Sequence, residues 1–203
     1  MSAMDVPPPS FQDEEINLLD EAFGRFLEQE IAPEYEEFVE AGCVSREAWQ
    51  KTGQGGFLCP SVPEAYGGVG GTFVHEAAII HRLGVDGFDH FGIALHSAIV
   101  APYILHYGSE DQKNRWLPGL VSGDLVGAIA MTEPSAGSDL QGVKTTALKD
   151  GNHYVINGSK TFITNGQLAN LIIVVAKTDP SQGSKGISLF VVETDKVEGF
   201  TRG

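Results

Sequence analysis

The stretch IAMTEPSAGSDLQG (residues 129–142) runs from an apolar segment into a turn built from threonine, glycine and serine. A second stretch, NGSKTFITNG (residues 157–166), places an aromatic residue and a threonine between two Asn-Gly turn dipeptides. Backbone N–H groups in such a turn hold anions, so the pair suits a flat, polar-edged ring with a pyrophosphate tail. The spacing alone is equally compatible with a polar turn that binds no ligand.

The turn of the first stretch has the residue types that close contact with a ligand needs. Pro134 fixes the chain after Glu133, and Gly137 permits the close backbone approach that a phosphate requires. The hydroxyls of Thr132 and Ser138 can donate hydrogen bonds to ring oxygens or to phosphate. We therefore treat this turn as a candidate binding segment.

Short segments rich in β-branched residues surround the two stretches and predict a β domain. In chain order they are LVGAIAM (125–131), TTALK (145–149), HYVING (153–158), LIIVVAK (171–177) and ISLFVVE (187–193). Asp150-Gly151 predicts a tight hairpin between the second and third segments. We expect this β domain to be incomplete, with an unpaired edge or an unfilled core.

The residues before 123 have helical periodicity. In the first helix the apolar side chains recur at steps of three and four: Ile16, Leu19, Phe23, Phe26 and Leu27. Ser10 with Asp13 is the predicted cap, and Pro33 is expected to end or kink the helix near Ala32.

Four further helices are expected in this region. They cover residues 45–53 with Ser45 as cap, 73–84 after a glycine-rich loop, 92–107, and 110–117 with Pro118 near the end. The chain therefore divides into a helical domain, residues 1–123, and a β domain, residues 124–203, which is an α+β architecture.

Composition narrows the classes of partner. The 203 residues are 42% hydrophobic and 20% charged, which is typical of a globular protein, and the formal net charge is −14. So acidic a chain argues against nucleic-acid binding and against membrane docking by charge. Its longest apolar runs are too short for membrane insertion. The first residues carry acid and proline and lack a targeting pattern, so we expect a cytoplasmic protein.

Isolated cysteines and histidines are interpreted as core residues. Cys43 and Cys59 have no CxxC spacing, which fits two inert core thiols in a reducing compartment. His96 and His106 fall in an apolar helical region, and we expect each to be packed or hydrogen-bonded rather than a catalytic base.

Two apparent motifs are set aside. The glycine runs at 53–56 and 68–71 do not complete GxGxxG and follow no credible strand, so a Rossmann site is not expected. His75 and His81 are six residues apart, which turns a helix by about 240° and separates the two rings, so no metal site is predicted.

Taken together, the two stretches resemble the flavin-binding middle domain of the acyl-CoA dehydrogenases, and their sequence is most similar to the long-chain members. The resemblance runs from about residue 11 to residue 203. It implies an all-α N-terminal domain (1–123) followed by a truncated, β-barrel-like middle domain (124–203) that binds FAD and acyl-CoA. The family's C-terminal helical bundle is absent from these residues.

The resemblance also assigns site residues by position. The residues implied to line FAD are Ile129, Ala130, Met131, Thr132, Glu133, Pro134, Ser135, Ala136, Gly137, Ser138, Phe162, Ile163 and Thr164. Ser138 is implied to touch the acyl-CoA as well, together with Ser184 and Lys185. Without the resemblance, Phe162 would be interpreted as a core aromatic in a strand and Lys185 as an exposed loop lysine.

The implied reaction is α,β-dehydrogenation of a long-chain acyl-CoA thioester in fatty-acid β-oxidation, with electrons passed to an electron-transfer flavoprotein. No residue here matches the family's catalytic base, a glutamate expected C-terminal to Gly203, and neither Glu133 nor Asp139 is assigned to that role. We therefore expect this piece to bind FAD weakly or not at all and to be inactive alone. The full-length protein is expected to be a homo-oligomer.

Two alternatives stay open. The acyl-CoA oxidases share the scaffold and pass electrons to oxygen, so oxygen consumption would distinguish them. A noncatalytic ligand-binding or assembly module is the second alternative.

Overall fold

The computed structural model describes residues 13–203, in which helices come first and strands follow. The helices are α1 Glu14–Phe26, α2 Tyr35–Ala41, α3 Arg46–Gln54, α4 Phe73–Asp86, α5 Ile93–Leu95, α6 Ala101–Tyr107 and α7 Glu110–Ser122. The strands are β1 Gly127–Ala130, β2 Thr146–Asp150, β3 His153–Asn157, β4 Leu171–Lys177 and β5 Ile187–Glu193. The predicted order, a helical domain and then a β domain, is confirmed.

The predicted start and irregular end of α1 are both present. The Asp13 carboxylate accepts a hydrogen bond from the Ile16 N–H at 3.0 Å, which caps the helix. Ser10, the other predicted cap residue, lies outside the described residues. After Phe26 the helix widens into a π-helical turn and then a 3₁₀ turn, Ala32–Glu34, that contains Pro33. The predicted kink therefore falls where proline removes a backbone donor.

The predicted end of the last helix was wrong, because α7 continues through Pro118 to Ser122. Proline removes one N–H from the ladder, and the carbonyl that loses its partner belongs to Asn114, an exposed residue that water can reach. Leu117 and Leu120 on either side of the proline are fully buried. Their packing against the core outweighs the single lost hydrogen bond.

The five strands form one mixed sheet with β4 at its centre. β5 runs antiparallel to β4 along its whole length, from Leu171↔Glu193 to Lys177↔Ile187. On the other edge of β4, β1 pairs in parallel at its start and β2 joins at Lys177. β2 and β3 form the predicted hairpin across Gly151. Among the described strands β3 pairs only with β2, so it is an edge strand with exposed side chains.

One hydrophobic core joins the helical part to the sheet. Trp49 of α3 and Leu120 of α7 belong to the same buried cluster as Ile129 of β1 and Leu171 and Ile173 of β4. Since apolar burial is the main stabilising term, this shared core fixes the ends of the strands relative to the helices.

His96 is the predicted buried histidine, and it joins the helical part to β1. Its Nδ1 accepts a hydrogen bond from the Gly127 N–H at 3.0 Å, so the ring is neutral and its Nε2–H donates to the Leu120 carbonyl at 2.9 Å. Complete burial lowers the pKa of His96 to about 4, although the hydrogen bond to Leu120 acts in the opposite direction.

Two other expectations about core residues were wrong. His106 is exposed, because it lies in the last turn of α6, beside the solvent-facing Tyr107. Cys43 is exposed as well, since it follows the left-handed Gly42 that ends α2 at the surface. Cys59 is fully buried, and burial raises the pKa of its thiol, which fits an inert core position.

Over residues 13–203, no helix combines the length and apolar character needed to cross a bilayer. In the same part of the chain, no group of three or more His, Cys, Asp or Glu side chains could hold a metal ion.

Candidate functional site

The first stretch divides into residues that face inward and residues that face outward. Strand β1 ends at Ala130, and both Ile129 and Ala130 are buried in the core. Beyond the strand Glu133 and Ala136 are buried, while Met131 and Thr132 are half-buried. The exposed members are Pro134, Ser135, Gly137 and Ser138. A ligand can therefore reach the outer part of the turn but not the side chains of β1.

The turn is closed by its own backbone. The Glu133 N–H donates to the Ala136 carbonyl at 2.9 Å, and the Ala136 N–H donates back to Glu133 at 3.1 Å. Next to this closed turn, no atom lies within 4 Å of the position that a Cβ on Gly137 would occupy. The backbone at Gly137 is thus open to close approach by an anionic group.

The second stretch lies directly beside the first. The Thr161 N–H donates to the Thr132 carbonyl at 3.0 Å, and the Lys160 ammonium donates to the Met131 carbonyl at 3.0 Å. Residues far apart in the chain are thereby brought into one surface. The strand predicted at 153–158 ends at Asn157, and residues 158–169 contain no strand.

Phe162 has an unusual environment for a large aromatic residue. Its side chain is 93% exposed and its backbone is left-handed, with φ +55°. The alternative interpretation of Phe162, a core aromatic in a strand, is therefore excluded. A strained non-glycine backbone that presents an apolar ring to solvent is typical of a binding surface. Thr164 is exposed beside it, whereas Ile163 packs inward on Ala130 and its neighbours.

A cavity of about 280 Å³ opens between Thr164 and the helical part. Residues 163–168 form one wall, and Gly42, Cys43, Asp89 and His90 form the other. Binding pockets for whole organic ligands occupy about 300–1,000 Å³, so this cavity can take only part of a large ligand.

The loop of the predicted substrate residues also lies near the first stretch. Ser184 and Lys185 are exposed in the 3₁₀ segment Pro180–Gly186. Cα atoms of this segment lie within 8 Å of Cα atoms of the turn Leu140–Gly142, which begins two residues after Ser138. The structure thus brings all three predicted segments together.

Hydrogen-bond donors of the protein itself enclose Glu133. Its Oε1 accepts hydrogen bonds from the Thr145 N–H at 3.0 Å, the Thr145 hydroxyl at 2.6 Å and the Lys160 ammonium at 2.8 Å. Its Oε2 accepts from the Lys144 N–H at 2.6 Å. Burial alone would raise the pKa of Glu133, but these donors outweigh it and lower the pKa to about 2. A carboxylate so weakly basic and so enclosed is unsuited to proton abstraction.

The sequence did not single out Asn165, which holds the site to the rest of the molecule. Its backbone is left-handed, with φ +64°, and its amide donates to the Gly127 carbonyl at 3.1 Å and the Gly92 carbonyl at 3.2 Å. The Asn-Gly dipeptide indicates a turn. Nothing local indicates that the side chain reaches β1 and the loop before α5.

We expect Asn165→Ala to lower the free energy of unfolding by about 2–3 kcal/mol, because it loses two hydrogen bonds and forces alanine into a left-handed backbone. Asn165→Gly loses the same hydrogen bonds without the strain. It should therefore be less destabilised than Asn165→Ala by about 1 kcal/mol. Urea titrations of both variants check this, and equal losses would show that the backbone conformation contributes nothing.

Comparison with known proteins assigns the family. Residues 13–124 match the family model for the acyl-CoA dehydrogenase N-terminal domain, and residues 128–203 match that for the middle domain. The mitochondrial long-chain specific acyl-CoA dehydrogenase of Sus scrofa is 45% identical over 191 residues, which cover 93% of this chain and 44% of that protein.

Solved structures agree with this assignment. An acyl-CoA dehydrogenase from Geobacillus kaustophilus superposes with a TM-score of 0.91 at 49% identity, covering 96% of this chain and 51% of that one. A glutaryl-CoA dehydrogenase from Mycobacterium smegmatis in complex with FADH2 gives 0.80 at 32% identity, covering 93% and 47%. The chain spans about half the length of the relatives it matches. With both domain models matched in order, it belongs to the acyl-CoA dehydrogenase family, whose members are FAD-dependent oxidoreductases.

Proposed function

We propose that this chain forms the FAD- and acyl-CoA-binding part of an enzyme that introduces a double bond between the α and β carbons of an acyl-CoA thioester. The observation that carries the proposal is Phe162, a 93% exposed aromatic ring on a left-handed backbone beside a turn of hydroxyl groups. An outward apolar ring of this kind is complementary to another flat ring.

The residues present fit FAD. Phe162 offers a face for the flavin ring, and Thr164, two residues further on, exposes a hydroxyl that can donate a hydrogen bond to the edge of a ring. The exposed turn at Ser135–Ser138, with open space beside Gly137, suits the pyrophosphate. Bound FAD would supply the hydride acceptor that the amino-acid side chains lack.

The same surface can hold the anionic end of acyl-CoA. With a formal charge of −14, the chain needs local donors to bind a phosphate. Lys185 is an exposed cation in a loop that approaches the turn after Ser138. We propose that Ser138 contacts both ligands and that Ser184 and Lys185 bind the CoA part.

Neither carboxylate next to the candidate site, Glu133 or Asp139, is suited to accept the substrate proton. Glu133 is enclosed by donors, and the Asp139 carboxylate accepts the Gln141 N–H at 3.1 Å as the cap of a turn. We therefore propose that the base comes from another segment or subunit, and that the 203-residue chain alone binds FAD weakly and does not turn over. Stoichiometric FAD in the purified chain would contradict this point.

The direct test is to replace Phe162 in the full protein encoded by the native gene. Phe162→Ala is expected to raise the Kd for FAD roughly tenfold, because stacking and apolar contact together contribute about 1.4 kcal/mol. Its free energy of unfolding should stay within about 0.5 kcal/mol of the wild type, since the ring is exposed. Phe162→Trp should keep the affinity.

Phe73→Ala is the matched control, because Phe73 is 74% exposed on α4 and belongs to none of the three segments. It should leave the Kd unchanged. If both variants lose affinity for FAD equally, or if neither variant loses it, the placement of the flavin at Phe162 is contradicted.

Chain length and electron acceptor are further parts of the proposal. We propose a long-chain substrate in fatty-acid β-oxidation and an electron-transfer flavoprotein as acceptor, in line with the long-chain relative at 45% identity. A kcat/KM series over acyl chain length tests the first. Oxygen consumption during turnover would favour the oxidase alternative over the flavoprotein.

The cellular location and the oligomeric state are also part of the proposed function. We propose a cytoplasmic homo-oligomer, although the Sus scrofa relative is named as mitochondrial. Cell fractionation and sedimentation of the native protein test these two points. A native protein whose mass equals that of the 203-residue chain, and which has no dehydrogenase activity, would instead favour the noncatalytic module.

A further inference from the structure

Lys160 and Glu133 form a buried ion pair between the two stretches of the site. The ammonium and the carboxylate are 2.8 Å apart, and the side chains are only 11% and 4% exposed. The same ammonium donates to the Met131 carbonyl at 3.0 Å. One cation of the second stretch therefore holds both a side chain and the backbone of the first.

The pair also sets the direction in which neighbouring residues face. Glu133 turns inward between Thr132 and Pro134, which are at least partly open to solvent. Lys160 turns inward two residues before the outward-facing Phe162. Between them the Thr161 N–H donates to the Thr132 carbonyl, so a shift of one stretch along the other would break three contacts.

A third segment is anchored to the same carboxylate. Lys144 and Thr145, just before β2, donate to Glu133 through their backbone N–H groups. Gly158 packs so closely there that a Cβ would lie 2.2 Å from the Thr145 hydroxyl oxygen. Charged pairs in such enclosed positions give less stability than well-packed apolar groups, but they demand one particular geometry.

We propose that Glu133 and Lys160 are positioning residues. They hold residues 129–142 and 157–166 in one register, so that Phe162 and the turn at Ser135–Ser138 contact the same FAD molecule. This inference rests on the proposed function. Both side chains are almost fully buried, so Lys160 acts through the contacts that it makes and Glu133 through the turn that it closes.

The experiment uses the full protein encoded by the native gene and compares two substitutions at Lys160 with one at the neighbouring Lys144. Lys160→Met removes the cation, Lys160→Arg restores it, and Lys144→Met removes an exposed lysine while its backbone N–H can still bond to Glu133. Ile79→Ala, a core truncation in α4, matches the loss of stability without touching the site. The two readouts are the Kd for FAD and the hydrogen-exchange rate of the Thr161 amide.

We expect Lys160→Met to raise the Kd for FAD at least tenfold and to accelerate exchange at Thr161 at least tenfold. Lys160→Arg should recover most of both, and Lys144→Met and Ile79→Ala should bind FAD like the wild type. An unchanged Kd in Lys160→Met, or an equal rise in Ile79→Ala, would overturn the proposal and leave the pair a stabilising contact only.

The two readouts separate this inference from the proposed function. A wild-type protein that protects the Thr161 amide but has no affinity for FAD would contradict the proposed function. In that case the exchange rate of Thr161 in Lys160→Met still decides whether the pair holds the two stretches together.

Discussion

Lys160→Met is expected to lower the free energy of unfolding by about 3–5 kcal/mol at pH 7, because it leaves the buried Glu133 carboxylate without its counter-ion. The pKa of Glu133 is held at about 2 in the folded protein. Its ionised form therefore stabilises the fold above the unfolded pKa of 4.5, and this contribution is lost as the pH falls toward 2. Without Lys160 the folded pKa should rise, so acid unfolding should begin at a higher pH.

Urea titrations of Lys160→Met, of Glu133→Gln and of the double variant measure this effect. The double variant removes both charges, so its loss of stability should be smaller than the sum of the two single losses. Lys144→Met is the matched control and should change the free energy of unfolding by less than about 0.5 kcal/mol, because its side chain is exposed. A loss below about 1 kcal/mol in Lys160→Met would mean that the other donors to Glu133 suffice.

The second large effect is a pH dependence that comes from His96. Burial lowers its pKa from 6.5 to about 4 in the folded protein, so the unfolded chain takes up a proton more readily. The contribution of His96 is fully present above pH 6.5 and is lost as the pH falls toward 4. Between pH 8 and pH 5 this loss should amount to about 2 kcal/mol in the free energy of unfolding.

The measurement is a set of urea titrations at pH 8, 6.5 and 5 on the wild type and on His96→Asn. The variant should be less stable at pH 8, and its stability should fall by about 2 kcal/mol less than that of the wild type between pH 8 and 5. Glu76 acts in the opposite sense, since burial raises its pKa, and it is present in both proteins. His153→Asn, at an exposed position on β3, should keep the wild-type slope. Parallel slopes for His96→Asn and the wild type would disprove the assignment.

Most of the fold could be predicted from local patterns. The cap at Ser45, the hairpin across Gly151 and the apolar stripe of α1 depend on residues only a few positions apart. These patterns determine helices and strands directly, because capping and side-chain periodicity are local interactions. The end of α7 is one exception, since Pro118 is tolerated only because Leu117 and Leu120 are buried.

The candidate site could be predicted only in part. Residue types made the turn at residues 132–138 a candidate, the family resemblance added Phe162, and the structure brings the two segments together. The sequence did not indicate that Glu133 and Ile129 face inward, or that Phe162 is exposed on a left-handed backbone. Exposure depends on what packs against a residue, and those neighbours come from distant parts of the chain.

Residue types and spacing thus established where the helices, strands and turns lie and which family the site resembles. They could not establish that Lys160 finds Glu133, that Asn165 reaches Gly92 and Gly127, or that His96 is enclosed between α7 and β1. Each of these contacts joins atoms at least 24 residues apart. Such a partner is chosen when apolar burial brings the helical part and the sheet onto one core, and no short pattern records that step.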